Sequence, residues 1–130
     1  MPVATPRPAR PALPTTLVTG RRAADRERAI AAVIDGPDTT VILEGLADPT
    51  SPLVDHTALA DPPAIVRIAP GCLCCAGNLV LRVTLNRLLR RPPARLFISL
   101  ADATHVGQLR AFLSAPPYDS LLSLCDDITA

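Results

Sequence analysis

The 130-residue sequence predicts an α/β fold in which an open, mostly parallel sheet of about five strands is flanked by helices. The first observation behind this prediction is that short β-branched runs alternate along the chain with longer amphipathic stretches. The second is that the strand-like runs are largely apolar, as expected of strands covered by helices on both faces. Turn-forming pairs such as Gly36-Pro37 and Pro92-Pro93 separate the elements.

The predicted elements follow one another in a regular order. The strands are 15–19, 39–43, 64–68, 95–100 and 120–125, and the helices are 22–35, 78–91 and 106–113. The second helix is the best defined, because four leucines recur on one of its faces: Leu81, Leu85, Leu88 and Leu89. Residues 1–14 are rich in proline and arginine and are predicted to be a flexible tail, so the domain spans 15–130. The proline-rich stretch 45–63 is predicted to be a loop.

Composition excludes several classes of partner. The formal net charge is +1 and aromatic residues are scarce, which argues against a surface that binds nucleic acid. No apolar run approaches the roughly 20 residues that a membrane-spanning helix needs. The N-terminus lacks the apolar core of a secretory signal, so we expect a cytoplasmic protein with reduced thiols. All thirteen basic residues are arginine, which excludes any mechanism that depends on lysine.

Three of the four cysteines lie within the stretch Gly71-Cys72-Leu73-Cys74-Cys75, between a predicted strand and a predicted helix. Thiolate is a soft ligand that suits zinc or copper(I), and three thiolates this close in sequence can share one ion and leave a fourth position. We therefore predict a zinc site formed by Cys72, Cys74 and Cys75. Thiol redox chemistry and packing as small buried side chains remain the alternatives.

The predicted topology also suggests which residues neighbour the thiols. Right-handed crossovers bring every strand-to-helix loop to the carboxyl edge of the sheet, where ligands bind in open α/β sheets. Glu44 and His105 follow strands at that edge and are candidates for the fourth ligand; the alternatives are a solvated charge and a surface histidine. Cys125 is predicted at the same edge as a buried strand residue, and His56 as an exposed loop residue.

A group of arginines follows the first strand and allows two interpretations. These residues could hold an anion at the start of the first helix: Arg21, Arg22, Arg26 and Arg28. The favoured interpretation is a solvated helix face on which the arginines pair with Asp25 and Glu27.

The stretch 64–113 resembles the central part of CobW-type P-loop GTPases, a group of metallochaperones. Gly71-Cys72-Leu73-Cys74-Cys75 matches the G-C-x-C-C motif of that family, and the following helix, strand and helix have the same order and spacing. TTLVTG at 15–20 and VILEG at 41–45 are similar to its first two strands. The resemblance covers about 15–127 and implies a partial P-loop NTPase-like fold and a metal cargo.

The chain departs from the family pattern where nucleotide would bind. A phosphate loop requires Gly-x4-Gly-Lys-Ser/Thr, but the sequence from Gly20 reads GRRAADRE. Asp25, Arg26 and Glu27 therefore stand at the positions of the second glycine, the lysine and the hydroxyl residue. Ser99 stands where the family has its glutamate, and Asp102 where it has glycine. The guanine-reading Asn-Lys-x-Asp motif and the C-terminal domain of the family are absent from this sequence.

The resulting prediction is a shortened CobW-like domain with a degenerate phosphate loop that includes Gly20 and Arg26. It would bind or hand over zinc and would have no catalytic residues and no GTP cofactor. Three alternatives stay open: an active GTP-driven metallochaperone, a noncatalytic partner of a full-length relative, and a thiol redox sensor. Exposed sheet edges also predict a homodimer or a complex with a larger relative.

Overall fold

The computed structural model describes residues 12–34, 38–45, 63–68 and 79–130. In these ranges it has the predicted α/β architecture with a parallel sheet. The strands are β1 (Leu13–Thr19), β2 (Thr39–Glu44), β3 (Ala64–Ile68), β4 (Arg95–Ser99), β5 (Leu122–Leu124) and β6 (Ile128–Thr129). The helices are α1 (Ala23–Val33), α2 (Leu79–Leu88) and α3 (Val106–Leu113), with short 3-10 helices at Ala103–His105 and Tyr118–Ser120. Residues 1–11 of the predicted tail, most of the loop 45–63 and His56 lie outside the described residues.

The strands run in the order β3-β2-β4-β1-β5, and every described pairing is parallel. The chain moves from β1 to β2 and β3 in one direction, and then returns through β4 to β5 in the other. Helix α1 packs on one face of the sheet, whereas α2 and α3 pack on the opposite face. Because β1 and β4 are neighbours that lead to helices on opposite faces, their carboxyl ends border a topological switch point.

Each face of the sheet has its own hydrophobic core. The central strands therefore carry apolar side chains on both of their faces. On one face Ile30 of α1 is buried among strand residues that include Val41 and Phe97. On the other face Leu81 and Leu85 of α2 and the leucines of α3 pack on the alternate strand residues. Neighbouring residues of a strand point to opposite faces, so a strand between two helical layers needs apolar residues at nearly every position.

The last strand differs from the prediction. A single strand was expected over 120–125, but the chain instead forms β5 and β6 with a break at 125–127. Both segments pair with β1, since Leu122 is in register with Leu13 and Ile128 with Val18. The strand starts late because 3-10 helix Tyr118–Ser120 occupies the preceding residues. The Leu13–Leu122 pairing also makes β1 begin two residues before its predicted start at 15.

Within the described ranges, no helix combines the length and the apolar character that crossing a bilayer requires.

Candidate functional site

The carboxyl edge of the sheet brings together the ends of four neighbouring strands. Glu44, the last residue of β2, is in register with Ile68, the last residue of β3. The preceding residue, Leu43, is in register with Ser99, the last residue of β4. Glu44 therefore lies between the end of β3, after which the cysteine stretch begins, and the end of β4. This position agrees with the prediction that Glu44 lies at the edge where strand-to-helix loops meet.

Arg26 is the central side chain of this edge. Although it is an arginine on α1, it is only 3% exposed. Its Nε donates to Ser99 Oγ at 2.8 Å, and its Nη1 donates to the Gly20 carbonyl oxygen at 2.8 Å. Burial lowers the pKa of the Arg26 guanidinium, and the nearby carboxylates of Glu27 and Glu44 oppose that shift. A buried cation is tolerated here because hydrogen bonds and carboxylates compensate for its desolvation.

The side chain of Arg26 packs closely against the turn between β1 and α1. A Cβ added at Gly20 would lie 3.1 Å from Arg26 Cγ and 2.9 Å from Ala130 Cβ. Any side chain at position 20 would therefore push against Arg26 and the last residue of the sequence. The absence of a side chain at Gly20 allows this turn to pack against the side chain of Arg26.

Glu44 is a buried side chain, so the interpretation of a solvated charge at the end of β2 is wrong. It is 4% exposed, and its Oε1 accepts a hydrogen bond from the backbone N–H of Ala101 at 2.8 Å. The bond joins the end of β2 to the segment that follows β4.

The favoured interpretation of the arginine group is correct for one pair and wrong for two residues. Arg28 and Asp25 form the expected exposed ion pair at 3.1 Å. Arg26 and Glu27 do not belong to a solvated face, because both are buried, and Glu27 pairs with Arg67 of β3 at 3.3 Å. The reason is the orientation of α1, whose buried face consists of Ala24, Arg26, Glu27 and Ile30.

A cavity of about 470 Å³ opens beside this network at the β1–β4 switch point. Its lining comprises Thr19, Gly20, Arg21, Ala101, Asp102, Ala103, Thr129 and Ala130. Asp102 Oδ1 accepts from the backbone N–H of Thr104 at 2.9 Å and from its hydroxyl at 2.8 Å, and so begins the 3-10 helix. Among the described residues of the lining, two side chains are charged, Arg21 and Asp102, and their charges have opposite signs.

The predicted zinc ligands Cys72, Cys74 and Cys75 lie outside the described residues, in the segment between Ile68 and Leu79. The backbone of His105 lies in the 3-10 helix that follows β4, but its side chain is likewise outside the description. Among the residues that the structure describes, no three or more His, Cys, Asp or Glu side chains are grouped so that they could hold a metal ion. The described part of the chain thus shows where the cysteine segment is attached to the fold.

The predicted position of Cys125 is wrong. Its backbone N–H donates to the Thr15 carbonyl oxygen at 2.9 Å, so it lies beside the middle of β1 and away from the carboxyl edge. Its thiol is partly exposed, and the residue follows β5 in the break before β6. Cys125 is therefore separated from the edge at which the cysteine segment begins.

Sequence reasoning missed the contact between Arg26 and Ser99. The two residues are 73 positions apart, and no local pattern connects them. One signal was present, since Arg26 precedes the apolar Ile30 by four residues and therefore shares its helix face. That spacing points toward the core even though the residue is charged.

Comparison with known proteins gives one curated match. The chain is 38% identical over 73 residues to the zinc chaperone YeiR of Escherichia coli (strain K12). The matched stretch is 55% of this chain and 22% of that protein, so the chain spans about a fifth of its relative's length. The match confirms the similarity to CobW-type metallochaperones predicted from the residues. No family model matches the chain, and no solved structure matches it.

Proposed function

We propose that this chain is a zinc-binding domain of the metallochaperone type that holds its cargo ion through Cys72, Cys74 and Cys75 and lacks nucleotide chemistry. The observation that carries the proposal is the 38% identity to a zinc chaperone. The cargo follows from the chemistry of the motif, since thiolates are preferred ligands of zinc and three lie within four positions. Because the reduced thiolate is the ligand, the proposal places the protein in a reducing compartment, the cytoplasm.

The position of the cysteine segment supports an accessible cargo site. The segment begins after Ile68, at the carboxyl edge of the sheet, and ends where α2 begins at Leu79. Three thiolates would leave the fourth position of a tetrahedral zinc ion for another ligand. A chaperone benefits from such a site, because an incoming thiolate or imidazole of the recipient can enter there before the ion leaves.

Two side chains of this chain are candidates for the fourth ligand. Glu44 is in register with Ile68 and therefore closer in the sheet to the cysteine segment, but its Oε1 already accepts a hydrogen bond from Ala101. His105 lies beyond β4, on the far side of β2 from β3. Glu44 would bind zinc as a carboxylate oriented by that backbone amide, and His105 would bind it as a neutral imidazole.

The loss of nucleotide chemistry is supported by the contacts of Arg26 and Glu27. In a working phosphate loop the lysine reaches the phosphates and the next residue supplies a hydroxyl for Mg²⁺. Here the guanidinium at the lysine position donates to Gly20 and Ser99 inside the protein. The residue at the hydroxyl position, Glu27, pairs with Arg67. Both groups are therefore committed to partners within the fold, and Glu27 would in addition repel phosphate.

The proposal includes an assembly with a second chain, either a copy of this protein or a longer relative. In the described residues β3 pairs with β2 alone, so its outer edge carries N–H and C=O groups that pair with no described strand. Edges of this kind form sheets with other chains.

Metal analysis of protein purified under reducing conditions tests the proposed function. We expect about one zinc ion per chain in the unaltered protein and in Cys125→Ser, and none in the variant with serine at positions 72, 74 and 75. Equal zinc content in the triple variant would contradict the proposal.

A further inference from the structure

Positive charge is concentrated in one part of this chain. No Asp or Glu occurs between Asp61 and Asp102, whereas six of the thirteen arginines fall in this interval. These are Arg67, Arg82, Arg87, Arg90, Arg91 and Arg95. Four of them belong to α2 or to the turn that follows it, so the structure gathers much of the excess charge on a single helix.

On the solvent-facing side of α2, one apolar side chain and three polar or charged side chains lie next to one another. Leu81 and Leu85 are fully buried against the sheet, which turns the opposite side of the helix to solvent. Val83, Asn86, Arg87 and Arg90 are spaced by three and four residues and line a shallow cavity of about 270 Å³. We call these four residues the α2 outer stripe.

The arginines of the α2 outer stripe differ from three arginines elsewhere in the described fold that are ion-paired. Arg28, Arg67 and Arg110 each form an ion pair, with Asp25, Glu27 and Asp127 respectively. In the described ranges no carboxylate pairs with the four arginines of α2 and of the turn after it, Arg82, Arg87, Arg90 and Arg91. The helix therefore presents guanidinium groups whose charge is not compensated by any described acid.

The same helix also exposes apolar surface. Five large hydrophobic side chains are exposed in the described residues, and three of them are on α2: Leu79, Val80 and Val83. Val83 is 48% exposed and lies one helical turn before Arg87, on the same side of the helix. An exposed apolar side chain beside unpaired cations is the composition expected of a binding surface for a partner that has both kinds of group.

A hydrogen bond from another element reaches the centre of the stripe. Asn86 Oδ1 accepts a hydrogen bond from the Tyr118 hydroxyl at 3.0 Å, which leaves the Asn86 amide group as a donor. On this side a second cavity of about 260 Å³ is lined by Arg82, Asn86, Phe112 and Tyr118 together with two prolines. Arg82 lies over the Phe112 ring at 5.3 Å from its centroid. Asn86 thus borders both cavities and is hydrogen-bonded to Tyr118.

We propose that the α2 outer stripe binds an acidic segment of a partner protein, in which carboxylates pair with Arg87 and Arg90 and an adjacent apolar side chain packs on Val83. Charge complementarity selects the partner, since guanidinium groups bind carboxylates in a bidentate geometry. Nucleic acid is a poorer match, because Phe112 is covered by Arg82 and Tyr118 is buried, so neither ring is free to stack a base.

The test uses two synthetic peptides with a fluorescent label: a 12-residue peptide of alternating Glu and Leu, and a peptide in which every Leu is replaced by Ser. Fluorescence anisotropy measures their binding to the full chain. We expect Arg87→Glu/Arg90→Glu to weaken binding of the Glu/Leu peptide by at least about tenfold. We expect Val83→Ser to weaken binding of that peptide by about fivefold and to leave binding of the Glu/Ser peptide unchanged.

The matched control is Arg21→Glu/Arg22→Glu, which changes the same charge at two exposed arginines on the loop after β1. Binding of the Glu/Leu peptide should change less than about twofold in this variant. An equal loss in both double variants, or no effect of Val83→Ser, would overturn the proposal in favour of unspecific charge attraction. Binding to anionic lipid vesicles or to single-stranded DNA that depends on Arg87 and Arg90, without binding of the peptide, would overturn it in favour of another class of partner. Circular dichroism of each variant establishes that it is folded.

Discussion

Arg26 and Ser99 are bonded to each other, with Arg26 Nε donating to Ser99 Oγ at 2.8 Å. By the resemblance of the sequence to CobW-type GTPases, Arg26 would stand at the phosphate-loop lysine and Ser99 at the glutamate. In the proposed function, this hydrogen-bonded pair takes the place of the cation that would contact phosphate and of the carboxylate that would lie near the metal and the attacking water.

This contact leads to a prediction about nucleotide. We expect no specific binding of Mg²⁺-GTP or Mg²⁺-ATP at micromolar concentrations and no hydrolysis, with or without zinc, because neither the lysine nor the Mg²⁺-binding hydroxyl is present. Restoring lysine alone in Arg26→Lys should not produce binding, since Asp25 and Glu27 remain. Calorimetry with a slowly hydrolysed GTP analogue and a phosphate-release assay measure the two effects. Micromolar binding that disappears in Arg26→Ala would show a working phosphate site.

The same contact should contribute to stability. In Arg26→Ala the Ser99 hydroxyl and the Gly20 carbonyl lose their donor, and the nearby Glu44 carboxylate loses a compensating cation. We expect the free energy of unfolding to fall by about 2–4 kcal/mol, as for other buried charged groups that lose one partner. Denaturant titration followed by circular dichroism measures it. The control is Arg28→Ala on the same helix, whose ion pair with Asp25 is exposed and should matter far less. Equal losses in the two variants would contradict a buried role for Arg26.

A third prediction distinguishes the candidates for the fourth zinc ligand. Glu44→Gln keeps a carbonyl oxygen for the Ala101 N–H and removes the charge, so the fold should persist. If Glu44 is the ligand, zinc affinity in a chelator competition should fall by at least about tenfold in Glu44→Gln and remain unchanged in His105→Ala. The reverse result assigns the position to His105. Unchanged affinity in both variants would show that neither side chain supplies the fourth ligand.

The fourth prediction concerns assembly. Because the outer edge of β3 pairs with no described strand, we expect light scattering to give twice the monomer mass, or a complex with a longer relative. A lysine on an edge strand opposes pairing, so Ala64→Lys, at an exposed position of β3, should shift the protein toward the monomer. The control is Ala111→Lys on the exposed side of α3. A stable monomer at high concentration that unfolds cooperatively would contradict this prediction.

The fold was predictable where strand and helix patterns are uninterrupted. The bounds of β3 and α3 agree with the prediction, because β-branched residues fill the first and a helical apolar spacing marks the second. The divided β5–β6 edge was not predictable, since it depends on a 3-10 turn before it and on pairing with β1 at two separate places. Neither feature can be predicted from the residues of that stretch alone.

The candidate site was predictable only in its placement on the sheet. Strand order and crossover handedness bring Glu44 to the edge next to the end of β3, as expected from the sequence. Burial of Arg26 and Glu27 was not expected, because charged residues on a helix normally face solvent, and their partners are 73 and 40 residues away. These distant partners meet the buried charged groups only because α1 packs on the sheet. The spacing of residues along the sequence does not show which partners they will have.

The proposed function requires that Cys72, Cys74 and Cys75 together bind the metal ion. Substitution with cobalt(II) tests it directly, because cobalt enters zinc sites and its thiolate bonds absorb in the near ultraviolet. Under reducing conditions we expect one cobalt ion per chain with the absorption of three thiolates. This absorption should fall stepwise when each of the three cysteines is replaced by serine, and it should be unchanged in Cys125→Ser. Cobalt bound without thiolate absorption, or full absorption in the triple serine variant, would contradict the account.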